Sequence, residues 1–97
     1  MAYLTCVGPH GGNRYNKGKY GSRGYWIFRR GTAVVTRWGA IDTVRRQTYS
    51  VRWVYWQENV IRCRTVAQAR GELKRIVAML QRPSQGYSAL PRGVRIR

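Results

Sequence analysis

Between Tyr25 and Leu80 the hydrophobic positions change their period once, and the change separates strands from a helix. Tyr25-Trp26-Ile27-Phe28-Arg29-Arg30 is a short apolar run closed by Arg30-Gly31-Thr32, which reads as a strand and its turn. Thr32 to Ile41 is rich in β-branched residues and forms a second predicted strand. Tyr49 to Trp56 is the third. Strict alternation there puts Tyr49, Val51, Trp53 and Tyr55 on one face and Ser50, Arg52, Val54 and Trp56 on the other. Gln57-Glu58-Asn59 reads as a hairpin turn. Val60 to Arg64 is then a fourth strand, with Ile61 and Cys63 on one side and Arg62 and Arg64 on the other. Consecutive strands with short turns predict an antiparallel sheet.

After Arg64 the period becomes helical. Thr65-Val66-Ala67-Gln68 has the form of a capping box, in which the threonine accepts from an early helical N–H and the glutamine reaches back. Val66, Ala69, Leu73, Ile76, Val77 and Leu80 make one apolar stripe, expected to pack on the sheet. Pro83 ends the helix near Gln81 and Arg82. The opposite face carries Arg70 and Lys74 one turn apart, a mildly repulsive pair that folding does not require. The expected architecture is α+β: an antiparallel sheet of about four strands, with one C-terminal helix on one face.

Both flanks lack this patterning. Residues 1–24 are Gly-rich with Arg14, Lys17, Lys19 and Arg23, and are expected to form a flexible basic arm whose removal leaves the fold intact. Residues 25–90 form the domain. Residues 91–97 alternate Arg with other residues and are expected to be a mobile basic tail. The start of the chain has no signal-peptide pattern, and no apolar run reaches the length of a spanning helix. The expected setting is cytoplasmic, on the nucleoid if the source is bacterial or phage. Cys6 and Cys63 are read as reduced thiols.

Charge changes the picture most. The chain has 19 Lys+Arg against 3 Asp+Glu, a net charge of +16. All of the cations except Lys17, Lys19 and Lys74 are arginines. Lysine would serve solubility equally well, whereas the guanidinium fork grips phosphate bidentately and stacks on bases. Such a surface implies a polyanionic partner, nucleic acid before an anionic membrane. Catalysis is not expected. Asp42, Glu58 and Glu72 fall on separate elements, and His10 sits in the Gly-rich arm. Cys6, His10 and Cys63 are one ligand short of a structural zinc site, so neither a metal nor a cofactor is expected.

One run combines a large ring with flanking cations: Thr36-Arg37-Trp38-Gly39-Ala40-Ile41, followed by Arg45-Arg46. Trp38 next to Gly39 suits stacking on a base or sugar while arginines hold phosphates, and the competing role for Trp38 is as a core ring. Trp26 and Trp53, inside alternating strands, are the better core candidates. Residues 33–41, Ala33-Val34-Val35-Thr36-Arg37-Trp38-Gly39-Ala40-Ile41, together with Arg82-Pro83-Ser84-Gln85-Gly86-Tyr87, resemble the two signature stretches of the WGR domain. The resemblance covers residues 25–90 and implies an antiparallel sheet with a packed helix. It also implies the DNA-break contact made by this domain in DNA-dependent poly(ADP-ribose) polymerases. Only Trp38 and Gly39 of the motif carry over, since Ala40 stands at the motif arginine and Asp42 at a later glycine.

The expected function is sequence-tolerant, non-catalytic binding of nucleic acid, with duplex DNA ahead of RNA. The alternatives are a small RNA-binding subunit of a ribonucleoprotein and an adaptor for an acidic protein. The candidate contact residues are Arg37, Trp38, Gly39, Arg45, Arg46, Arg62, Arg64, Arg70, Lys74, Arg14, Lys17, Lys19 and Arg23.

Overall fold

The computed structural model describes residues 1–6, 23–45 and 49–97. Six elements follow in order: β1 (Ala2–Cys6), β2 (Arg23–Arg30), β3 (Ala33–Arg45), β4 (Tyr49–Arg62), α1 (Val66–Leu80) and β5 (Tyr87–Ala89). The strands form one sheet in the order β4-β3-β2-β1-β5, antiparallel throughout. The α+β class and the single packed helix are as expected, with one more strand in the sheet.

Residues opposite one another in an antiparallel ladder share a face. Leu4 lies opposite Tyr25, Tyr25 opposite Trp38, and Val34 opposite Ile61. That face is covered by α1, which lies against β2 and β3. Ala69, Ile76 and Leu80 of the helix join Leu4, Ile27 and Val34 in the main core, flanked by Ile61, Cys63, Leu73 and Val77. The stripe therefore packs as its spacing implies, except for its first member: Val66 is exposed. The cap also forms. Thr65 Oγ1 accepts from the Gln68 N–H at 3.1 Å, and Gln68 Oε1 accepts from the Arg64 N–H at 2.9 Å, one residue earlier than the usual partner.

Four expectations are corrected. First, Gln57-Glu58-Asn59 is no turn but the middle of β4, opposite Thr36, Arg37 and Trp38. Polar residues are tolerated there because β4 is an outer strand, and Glu58 finds a cross-strand cation in Arg37. Second, alternation along β4 breaks. Ala40 pairs with Tyr55 and Ile41 with Trp53, so Val54 is an extra residue in a bulge. Tyr55 then shares a face with Trp38, whereas Trp53 joins Trp56 on the helix-free face.

Third, the first residues are not part of an arm. Residues 2–6 form β1, clamped between β2 and β5, and Leu4 and Cys6 are buried. Arg23 and Gly24 belong to β2. Residues 7–22, including Arg14, Lys17 and Lys19, lie outside the described residues. Fourth, the C-terminal segment is held. The Leu90 N–H donates to Tyr3 O, the Arg97 N–H donates to Val51 O, and the Trp53 N–H donates to Arg97 O. Ile96 is buried with Ile41 and Val51 in a second core on the helix-free face, flanked by Tyr3, Trp53, Leu90 and Val94. Ile96 and Val94 among the arginines, with these backbone hydrogen bonds, tie the segment down, a signal that alternating charge conceals.

β1 is accordingly a core strand. Leu4→Ala is expected to cost about 2–5 kcal/mol in urea unfolding. A change below about 0.5 kcal/mol, the ordinary range for surface substitutions, would return residues 1–6 to the status of an arm.

Candidate nucleic-acid interface

Trp38 sits on the α1-bearing face but outside the core cluster, at the side of a cleft. The cleft, of about 430 Å³, is lined by Arg23, Tyr25, Trp38, Gly39, Ala40, Tyr55, Gln57 and Tyr87. Its size falls within the range that encloses a nucleotide-sized group. Tyr25 organises its rings. It stacks on Trp38 at 6.2 Å between centroids and 20° between planes, and meets Tyr87 edge-on at 5.0 Å and 88°. Trp38 is thus half-buried, with Tyr25 beside it and the cleft in front. Arg23 supplies the cation in the lining.

Gly39 has a structural reason of its own. A Cβ there would lie 2.2 Å from the Tyr55 carbonyl oxygen and 2.8 Å from the Trp56 Cα. The bare backbone beside Trp38 therefore admits β4 at the bulge; the reading of it as a surface for a ligand is secondary.

The remaining expected contacts are dispersed. Arg37 adjoins Trp38 in β3 and so points to the opposite face, where its Nε donates to Glu58 Oε1 at 2.7 Å. The idea that Arg37 holds a phosphate next to a base stacked on Trp38 is excluded by this alternation. Arg45 closes β3, its side chain outside the described residues, and Arg46 also lies outside them. Arg62 and Arg64 are exposed at the far end of β4, where they line a separate hollow with Gln68, Glu72 and Arg75 next to the start of α1. Arg62 pairs with Ala33 and Gln57 with Trp38, a separation of about 17 Å along the strand. Arg70 and Lys74 are exposed on the helix.

Sequence reasoning missed Tyr25, Tyr55 and Tyr87 as neighbours of Trp38, and missed the helix-free face altogether. On that face Tyr3 stacks on Trp26 at 5.4 Å with planes 8° apart, and Trp26 meets Phe28 at 4.3 Å. The Arg37 guanidinium lies 4.9 Å from the Trp26 centroid and 4.5 Å from that of Trp56. Trp26, taken as a core ring, belongs to neither core cluster, and Trp53 flanks the second.

Each of the three acidic residues is paired with an arginine: Glu58 with Arg37, Asp42 with Arg52 at 3.4 Å, and Glu72 with Arg75. The Arg75 guanidinium holds the Glu72 carboxyl below its ordinary range by hydrogen bonding and by charge. Both Cys6 and Cys63 are free thiols. Among the described residues no cluster of His, Cys, Asp and Glu could hold a metal ion, and no helix is long and apolar enough to cross a membrane. In comparisons with known proteins, no family model, curated protein or solved structure matches the chain.

The cleft and its surroundings can be probed in two ways. Gly39→Ala is expected to destabilise strongly, because the atom in the way is backbone. Gly71→Ala meets nothing within 4 Å and is expected to stabilise α1 by about 1 kcal/mol. Thermal melts of the two variants should move in opposite directions; a tolerated Gly39→Ala would refute the close approach. The second probe is alkali. The Tyr87 phenol is pushed up to about 12, chiefly by burial, with Tyr25 and Cys6 adding and Arg23 opposing. Burial raises Tyr25 as well. The unfolded chain releases these protons near pH 10, before the folded one, so stability is expected to fall as pH rises from about 10 to about 12. Tyr87→Phe should blunt the fall in urea midpoint over that window, and an equal fall in both proteins would refute it.

Proposed function

We propose that this protein binds nucleic acid without catalysis, gripping the phosphate backbone with little regard to sequence. The observation that carries this reading is the pairing of all three acidic side chains, which leaves the net +16 without an internal counter-charge. Arg23, Arg29, Arg30, Arg62, Arg64, Arg70, Arg82, Arg92, Arg95 and Arg97 are all exposed, on both faces and at both ends of the sheet. Distributed guanidinium groups suit contact with a polyanion in many poses, whereas sequence reading needs a fixed set of amide side chains aimed at base edges. The exposed side of α1 presents Arg70 and Lys74 and has no such set.

The Trp38 cleft supplies a place for a nucleotide, a flat ring with Arg23 at hand for phosphate. The resemblance to the WGR domain supports the same use of Trp38. Duplex ends expose a terminal base and sugar, so the cleft favours ends over the interior of a duplex.

Salt titration tests this reading. With about five phosphates neutralised, log affinity for a short duplex should fall against log salt with a slope of about −4 to −5. Trp38→Ala should weaken binding by about 1–3 kcal/mol with that slope unchanged, since a ring releases no counterions. No binding of duplex or single-stranded DNA or of RNA at low salt would sink the proposal and leave an acidic protein as the partner.

A further inference from the structure

We propose that the helix-free face of the sheet is a second nucleic-acid surface, one that takes an unpaired strand by its bases. This inference rests on the nucleic-acid reading above but uses none of the Trp38 cleft.

The face is made by the bulge at Val54, which brings Trp53 and Trp56 to the same side as Arg37. Tyr3, Trp26 and Phe28 form a continuous row of touching rings along β1 and β2. Arg37 joins this row to Trp56, its guanidinium between the Trp26 and Trp56 rings and its Nε held by Glu58. The cation is thereby fixed and its charge matched, so it serves to orient rings more than to bind phosphate. Trp56 is 46% exposed on the outer strand, so much of its ring is open to a ligand. Between this row and the C-terminal segment runs a groove of about 740 Å³, lined by Tyr3, Trp26, Arg37, Trp53, Trp56, Arg95 and Arg97 together with Ile96. Arg95 and Arg97 are exposed and have no carboxylate partner among the described residues.

Fixed aromatic rings next to free guanidinium groups match the two parts of an unpaired strand. Bases stack on rings regardless of their identity, and phosphates meet the arginines. A duplex keeps its base faces stacked internally and can offer this groove only its backbone. Charge complementarity also selects the occupant. The exposed Trp56 ring would also suit a second copy of the chain at the outer edge of β4, but two molecules of net +16 repel each other.

The test uses a short oligo(dT) strand, an abasic strand of equal length and a duplex that presents no unpaired bases, with the full chain and three variants. Trp56→Ala is expected to lower oligo(dT) affinity about tenfold, the worth of one base–aromatic stack, and to change abasic-strand and duplex affinities less than about twofold. Arg95→Gln with Arg97→Gln leaves the backbone pairing of Arg97 in place and should flatten the salt slope for the single strand by about 1.4. Trp38→Ala is the control for the cleft. If oligo(dT) affinity responds to Trp38→Ala and not to Trp56→Ala, unpaired strands lie in the cleft and the second surface is refuted. Equal weakening of duplex and single strand by Trp56→Ala would refute it too. Unchanged oligo(dT) affinity in the arginine variant would refute the groove even if Trp56→Ala unfolds the protein. If the unaltered protein binds no nucleic acid, the proposed function itself fails and this surface with it.

Discussion

The close passage of the β4 backbone over Gly39 is the constraint on which the rest of the molecule depends. A side chain at that position would collide with the Tyr55 carbonyl, so the two long strands come together here only because residue 39 has no Cβ. The bulge one residue further on shifts the register and re-aims every side chain of β4 that precedes it. Val51 and Trp53 then meet Ile41 and Ile96 in a second core. The face that α1 does not cover is thereby divided, part closed by the C-terminal segment and part left as an aromatic surface. A hairpin without the bulge would have put Trp53 with Tyr55, and neither the second core nor the Trp53–Trp56 side of the groove would exist.

Charge shapes the molecule as strongly as packing does. With three carboxylates for nineteen basic side chains, each acid has a single assignment. Glu58 holds Arg37 among the rings, Asp42 meets Arg52, and Glu72 meets Arg75 on the helix. The last two pairs are solvent-exposed and contribute little to stability. The first is less exposed and fixes geometry. The other arginines oppose compaction by mutual repulsion, and the proposed polyanionic partner would relieve that repulsion and stabilise the folded state.

Elements governed by local chemistry were legible in the sequence. The helix, its Thr65 cap, its stop before Pro83 and the Gly31 turn depend on neighbours within a few residues, and the structure has them where spacing and side-chain type put them. What depends on distant partners was not legible. Ala2–Cys6 is a strand because β2 and β5 flank it, and Ile96 is core because Ile41 and Val51 surround it. Gln57-Glu58-Asn59 looks like a turn until Arg37 lies opposite Glu58. At the candidate site the types of residue were readable and their faces were not. Trp38 and Arg37 are adjacent in the chain and serve opposite sides of the sheet, while Tyr25 stacks on Trp38 from the neighbouring strand and Tyr87 meets Tyr25 from β5, far away in sequence.

The ties between the two ends of the chain set the order of its assembly. β1 is flanked on one side by residues 87–89, and the second core waits for Ile96. A nascent chain emerging N-terminus first can form the β2–β3–β4 ladder and the helix early, but Leu4 remains uncovered on one side until residues 87–89 have been made. Closing such distant pairs is entropically slow, and in the interval apolar strands and unneutralised arginines are exposed together. The period of greatest exposure to aggregation therefore lasts until residues 87–96 have been made. During it, a polyanion that screens the arginines would act as a folding aid.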